Sequence, residues 1–158
     1  MKNILSPLCL DIINKGFDKT LLAQTLWITI MEMNVQYDKD ISSEHAELFM
    51  QTTEYLSSMI GETLHVKYSS YITSFFSESG GICYVKTDQN GVRIGWFRGA
   101  FIEDRFGKLS GNGKSMRAHA LTKLDRDEKE AIAYYVQESI FFLLGHVERL
   151  RMKRHFKN

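Results

Sequence analysis

Ile82-Cys83-Tyr84-Val85-Lys86-Thr87-Asp88-Gln89-Asn90-Gly91-Val92-Arg93-Ile94-Gly95-Trp96-Phe97 is the stretch that decides the fold. Two runs rich in β-branched and aromatic residues flank Asp88-Gln89-Asn90-Gly91, and Asn-Gly accepts the positive φ that tight hairpins demand. In the second run Val92, Ile94 and Trp96 alternate with Arg93, Gly95 and Phe97. That period of two predicts an antiparallel hairpin with one buried face.

The same period extends upstream. Leu64, Val66 and Tyr68 alternate with His65 and Lys67, and Tyr71 to Phe76 forms another β-rich run, broken by Ser77-Glu78-Ser79-Gly80-Gly81. Before residue 62 the period is helical. Ser42 or Ser43 starts a helix with Ala46, Phe49, Met50, Leu56 and Ile60 on one stripe, and Gly61 ends it. Earlier still, Ser6-Pro7 opens a short helix. Asp18 then caps a second, Lys19 to about Tyr37, where Leu22, Leu26, Ile30 and Met33 follow helical spacing and Trp27 and Met31 widen the stripe.

Downstream, residues 98–114 read as a loop carrying Gly99, Gly107, Gly111 and Gly113, and Ser115 to Leu121 as a short fifth strand. Asp125-Arg126-Asp127-Glu128 is a capping-box start, with Asp at the cap and Glu at the third position. The last helix carries Ala131, Ile132, Tyr135, Val136, Ile140 and Leu143 and continues to about Phe156; its basic tail complements the helix dipole. The expected fold class is α+β: an antiparallel meander of about five strands with helices on one face. Residues 1–40 form a helical extension to a domain spanning 41–158.

Composition sets the class. A chain of 158 residues, 44% hydrophobic and 12% aromatic, has enough apolar surface for a real core. No apolar run is long enough to span a membrane, and Met1-Lys2-Asn3-Ile4-Leu5 lacks the features of a signal peptide, so no membrane partner is expected. Cys9 and Cys83, far apart and without CxxC spacing, fit free thiols in a reducing compartment, which points to the cytoplasm. The net charge of +1 argues against a strong general attraction to nucleic acid, yet the charges are uneven. Residues 62–124 carry nine basic and five acidic side chains, whereas residues 1–61 carry four and eight.

Few motifs carry chemistry. Gly107-Lys108-Leu109-Ser110-Gly111-Asn112-Gly113-Lys114-Ser115 ends like a phosphate-binding P-loop. However, five residues rather than four separate Gly107 from Gly113, and a β-like segment rather than a helix follows. The loop retains the makings of an anion site: Gly111 and Gly113 free the backbone N–H groups, and Lys114 and Arg117 add charge. The plainer alternative is a Gly-rich connection whose Lys and Arg are solvated or pair with Glu103 and Asp104. Glu44, Glu47 and Glu54 at i, i+3 and i+10 share a helix stripe, an all-oxygen ridge suited to a hard cation such as iron or magnesium, or simply a solvated face. The five histidines show no metal-ligand spacing, although His65 and His119 sit in predicted strands and can face each other. No nucleophile elbow or Cys-His arrangement points to catalysis.

Gly95-Trp96-Phe97-Arg98-Gly99-Ala100-Phe101-Ile102-Glu103-Asp104, followed by Gly107 to Arg117, resembles the YdhG-like family of bacterial domains (domain of unknown function 1801). The family pattern is a strand ending in Phe-x-Gly-Ala, an acidic loop, then Gly-x-Gly-Lys-x-Met-Arg before a short strand. The resemblance covers roughly residues 44–145. It implies a compact sandwich of an antiparallel sheet with helices on one face. One branch looks like frataxin, an intracellular iron chaperone, a role that here would rest on Glu44, Glu47 and Glu54.

Three expectations follow. The first is a non-enzymatic binding module presenting Gly111, Gly113, Lys114 and Arg117 to a small anionic ligand or a protein. The second is a frataxin-like iron carrier. The third is a scaffold in which residues 1–40 cover a sheet or join a homodimer.

Overall fold

The computed structural model describes residues 35–60 and 65–155. The first expected helix, the second up to residue 34, Cys9 and the Gly61 cap lie outside the described residues. Element order is α1 (Val35–Ile41), α2 (Ala46–Ile60), β1 (His65–Tyr68), β2 (Thr73–Ser77), β3 (Gly80–Asp88), β4 (Gly91–Trp96), β5 (Arg117–Leu121) and α3 (Arg126–His155). A 3-10 turn, Gly99–Phe101, follows β4.

The strands pair antiparallel in sequence order, β1-β2-β3-β4-β5, the meander that the period-two pattern predicts. Asp88 pairs with Gly91, so the hairpin turns on Gln89 and Asn90. Within Asn90-Gly91 the positive φ falls on the glycine, at 144°, and not on Asn90; no non-glycine residue in the described chain has positive φ. The Asp88 carboxylate supplies the turn instead, accepting the Asn90 N–H at 3.0 Å. Gly91 is also obligatory on space, because a Cβ there would sit 2.1 Å from the Leu121 carbonyl oxygen.

Register sorts the strand residues onto two faces. Trp96, Ile94 and Val92 align with Cys83, Val85 and Thr87 on one side and with Arg117, His119 and Leu121 on the other. This face is the core. Its fully buried Trp96, Ile94, Val85 and Phe75 join Phe49 and Leu56 of α2 and Ala131, Ile132 and Tyr135 of α3 in one cluster. Each large aliphatic or Phe side chain among them contributes about 1.5–3 kcal/mol by leaving water. The β2–β3 register slips between Phe75 and Phe76. The bulge explains why the successive residues Ile82 and Cys83 are both fully buried, against strict alternation.

Helix boundaries differ from the expected ones in instructive ways. α2 starts at Ala46, not Ser42 or Ser43. Ser43 forms a turn just before it, its hydroxyl accepting the His45 N–H and its carbonyl the Ala46 N–H. α1 ends at Ile41, so the boundary drawn at residue 40 falls inside it. Asp40, fully buried, accepts from the Thr87 N–H at 2.8 Å and the Thr87 hydroxyl at 2.7 Å, which ties α1 to β3. At α3 the Asp125 cap is as expected, accepting the Glu128 N–H at 3.0 Å. α3 runs 30 residues, about 45 Å, but its buried stripe of Ala131, Ile132, Tyr135, Val136, Ser139 and Leu143 stops halfway. No described helix is long and apolar enough to cross a membrane.

Candidate anion-binding face

The second face of the sheet carries a different chemistry. Alternation places His65 and Lys67 of β1, Ser74 and Phe76 of β2, Tyr84 and Lys86 of β3, and Arg93 and Gly95 of β4 on it. His65, Lys67 and Arg93 are exposed, Phe76, Tyr84 and Lys86 half-buried, and Ser74 and Gly95 buried. Three aromatic rings form a continuous strip. Phe97, just past β4, lies 6.0 Å from both Phe76 and Tyr84, centroid to centroid. Glycine makes the strip possible. A Cβ on Gly95 would stand 1.9 Å from Tyr84 Cε1, and one on Gly81 2.8 Å from Phe97 Cδ2, so both rings lie down on bare backbone.

Cations rim the strip. Lys67 Nζ sits 4.5 Å from the Phe76 ring centroid. Lys86 and Arg93 stand directly opposite each other across β3 and β4, a like-charge pairing that costs stability. Asp88, at this end, pairs with Arg93 at 2.9 Å and is held below the usual carboxylate range, chiefly by the Asn90 N–H and then by Arg93 against burial. Among the described residues Lys67, Lys86, Arg98 and Lys114 have no carboxylate partner.

The Gly-rich loop meets this face. A groove of about 340 Å³ runs between Phe76, Gly81 and Phe97 on the sheet and Arg98, Ser115 and Met116 beside it. Gly111, Gly113 and Lys114 are exposed on the same loop, and Gly111 has φ +107°. Among the described residues no backbone partner uses the N–H groups of residues 111–116. Arg117 differs from expectation in its task. Its Nη1 donates to the carbonyls of Gly113 at 2.5 Å and Met116 at 2.8 Å, so the guanidinium closes the loop on itself. Its Cβ stem packs over Gly99, where an added Cβ would lie 2.6 Å away. The segment after the loop is β5, as the failed P-loop spacing implies.

A polar network that the sequence did not announce lies at the core edge. Glu128 accepts from Lys108 Nζ at 2.5 Å through one oxygen and bonds His119 Nε2 at 2.8 Å through the other. The capping-box reading gave Glu128 a purely local role; tertiary partners from the loop and β5 take it instead. Burial depresses the His119 pKa, and the opposing pull of Glu128 does not overcome it, so the neutral ring donates Nε2–H to the carboxylate. Asp104 accepts the Tyr135 hydroxyl and the N–H groups of Lys108 and Leu109. Burial raises the Asp104 pKa, but these bonds together outweigh it and hold it low. Burial, reinforced by Asp104, pushes Tyr135 up. His65 and His119 do not meet: they occupy opposite edges of the sheet, one exposed and one 1% exposed on the core face.

The acidic ridge is looser than a shared stripe. Glu44 precedes α2 in a turn, its side chain 78% exposed and 3.4 Å from His45. Glu47 accepts from Gln51, and Glu54 borders a groove with Tyr37, Met50 and Tyr68. Among the described residues no three His, Cys, Asp or Glu side chains group as metal ligands. Burial pushes the Cys83 thiol up, away from reactivity. No protein-family model, curated protein or solved structure matches this chain.

Proposed function

We propose that this chain is a non-enzymatic, YdhG-like binding module that holds an anionic partner where the second sheet face meets the Gly111–Arg117 loop. One observation carries the reading: Arg98 lines an aromatic groove, Lys67 stands over its Phe76 ring, Lys114 is exposed on the adjoining loop and Lys86 sits opposite Arg93 on the same face, none of Lys67, Lys86, Arg98 and Lys114 with a carboxylate partner among the described residues. Asp88 already answers Arg93, so Lys86 is the member of that pair whose repulsion an added anion relieves. Binding rather than turnover is favoured because the acid–base groups at the core edge, His119 with Glu128 and Tyr135 with Asp104, already satisfy one another. His119 is too buried to reach a substrate, and the Glu128 and Asp104 carboxylates are committed to internal donors. The test is a thermal-shift series with inorganic phosphate, tripolyphosphate and dicarboxylates. Stabilisation by tripolyphosphate that is lost in Lys114→Ala and Arg98→Ala supports the site; no shift with any anion removes it.

A second reading, homodimer formation, has its own support. α3 outlasts its core, and Phe141, Leu144, Leu150 and Met152 stand 44–59% exposed along it. Light scattering decides between a monomer and a dimer that Leu144→Glu and Leu150→Glu dissociate.

A further inference from the structure

We infer that the anionic partner is single-stranded nucleic acid, its bases stacked on Phe76, Tyr84 and Phe97 and its phosphates on the rimming cations. The inference rests on the binding-face reading above and names its partner. Phosphate groups alone account for the cations but not for the rings. Three aromatic side chains on an antiparallel sheet, contributed by adjoining strands and packed in one strip, offer π-faces to bases without reading their edges. Base stacking needs unpaired bases, so the ligand is a single strand rather than a duplex.

The surroundings match a backbone on either side of the strip. Lys67 lies on the β1 side, over Phe76. Lys86 and Arg93 lie toward the hairpin end, and Arg98 and Lys114 lie toward the loop. A second copy of this chain is a poor occupant, since its own cations would face these. A phospholipid surface fits less well, because an inserting side chain must stand clear of the fold, whereas Tyr84 and Phe97 lie down over glycines. The net charge of +1 averages over the chain, whereas residues 62–124, which supply these cations, carry nine basic and five acidic side chains.

Fluorescence anisotropy with labelled 12-mers of dT and U, against the matching duplex, tests the inference on the full chain. Binding of the single strands at low salt, at least tenfold tighter than the duplex, is expected. Neutralising about four phosphates gives a slope near −3 for log affinity against log salt. Phe97→Leu keeps an apolar side chain over Gly81 but removes the ring. It is expected to weaken binding about 5- to 150-fold while unfolding at a temperature close to that of wild type. Lys67→Ala with Lys86→Ala is expected to lower the salt slope. The dT and U arms separate DNA from RNA as the source. If tripolyphosphate binds through Lys114 but the 12-mers bind no tighter and Phe97→Leu changes nothing, the nucleic-acid inference falls and the anion site stands. If neither binds, both fall. Duplex binding equal to single-strand binding, or binding only to phosphatidylserine vesicles, also overturns the inference.

Discussion

Glu128→Ala removes a carboxylate that serves two side-chain partners, His119 and Lys108. His119, 1% exposed, loses the acceptor of its Nε2–H, and a buried donor left unmade costs about 1–3 kcal/mol. Lys108 keeps 28% side-chain exposure and can turn to water, so its loss is under about 1 kcal/mol. Losing an acid from the first turn of α3 adds about 0.3–1 kcal/mol, partly offset by alanine's helix propensity. The sum is about 2–4 kcal/mol. For a chain of this size that lowers Tm by about 6–12 °C. Urea unfolding followed by circular dichroism measures it, and Glu128→Gln, which retains an acceptor for His119, should lose about half as much. A second readout is independent of stability: without Glu128, the His119 pKa read by NMR falls further, because burial then acts with less opposition. A Glu128→Ala variant within 0.5 kcal/mol of wild type, with His119 titrating unchanged, would refute the network and leave Glu128 as a capping residue only.

Gly91→Ala forces a Cβ against the Leu121 carbonyl at φ 144°, so it should cost more than about 2 kcal/mol in denaturant unfolding; a loss below 1 kcal/mol contradicts the β4–β5 register. Stability should also fall on acidification in two stages. The folded His119 pKa is depressed, so its contribution is complete above the ordinary value of 6.5 and is lost as pH falls through the folded value. Asp104 follows the same sign below 3.8. His119→Gln should flatten the profile between pH 7.5 and 5.5, and an unchanged slope would mean another group titrates there. Arg117→Lys loosens a loop rather than a core, so amide exchange at residues 111–116 should quicken while global stability moves by less than about 1 kcal/mol; a larger loss would show that the Gly113 and Met116 contacts hold the sheet edge.

How far these features could be read from residues alone follows from how local their causes are. The meander was legible because apolar Val92, Ile94 and Trp96, all buried, alternate with Arg93, which is exposed, and Gly95, which has no side chain to bury. The Asp125 cap was legible because its partner is three residues away. The Phe75–Phe76 bulge leaves no trace in composition, so nothing marked Ile82 as an exception to alternation. Glu128 was misread for the opposite reason: its local motif was sound, but His119 and Lys108 arrive from other parts of the chain. The aromatic strip draws Phe76, Tyr84 and Phe97 from separate segments, and only register places them together. Lys114 and the glycines of the loop were identified as candidates from spacing. That Arg117 would turn inward onto two carbonyls was not readable, because it depends on the loop's closed shape.

The most direct test of the account is a two-dimensional amide NMR titration of the full chain with unlabelled oligo(dT) or oligo(U). The account places the perturbed resonances at Lys67, Phe76, Tyr84, Lys86, Phe97 and Lys114, with Glu54, Tyr68 and the outer half of α3 silent. Shifts gathered instead in the groove beside Glu54 and Tyr68, or along Phe141 to Met152, would contradict it.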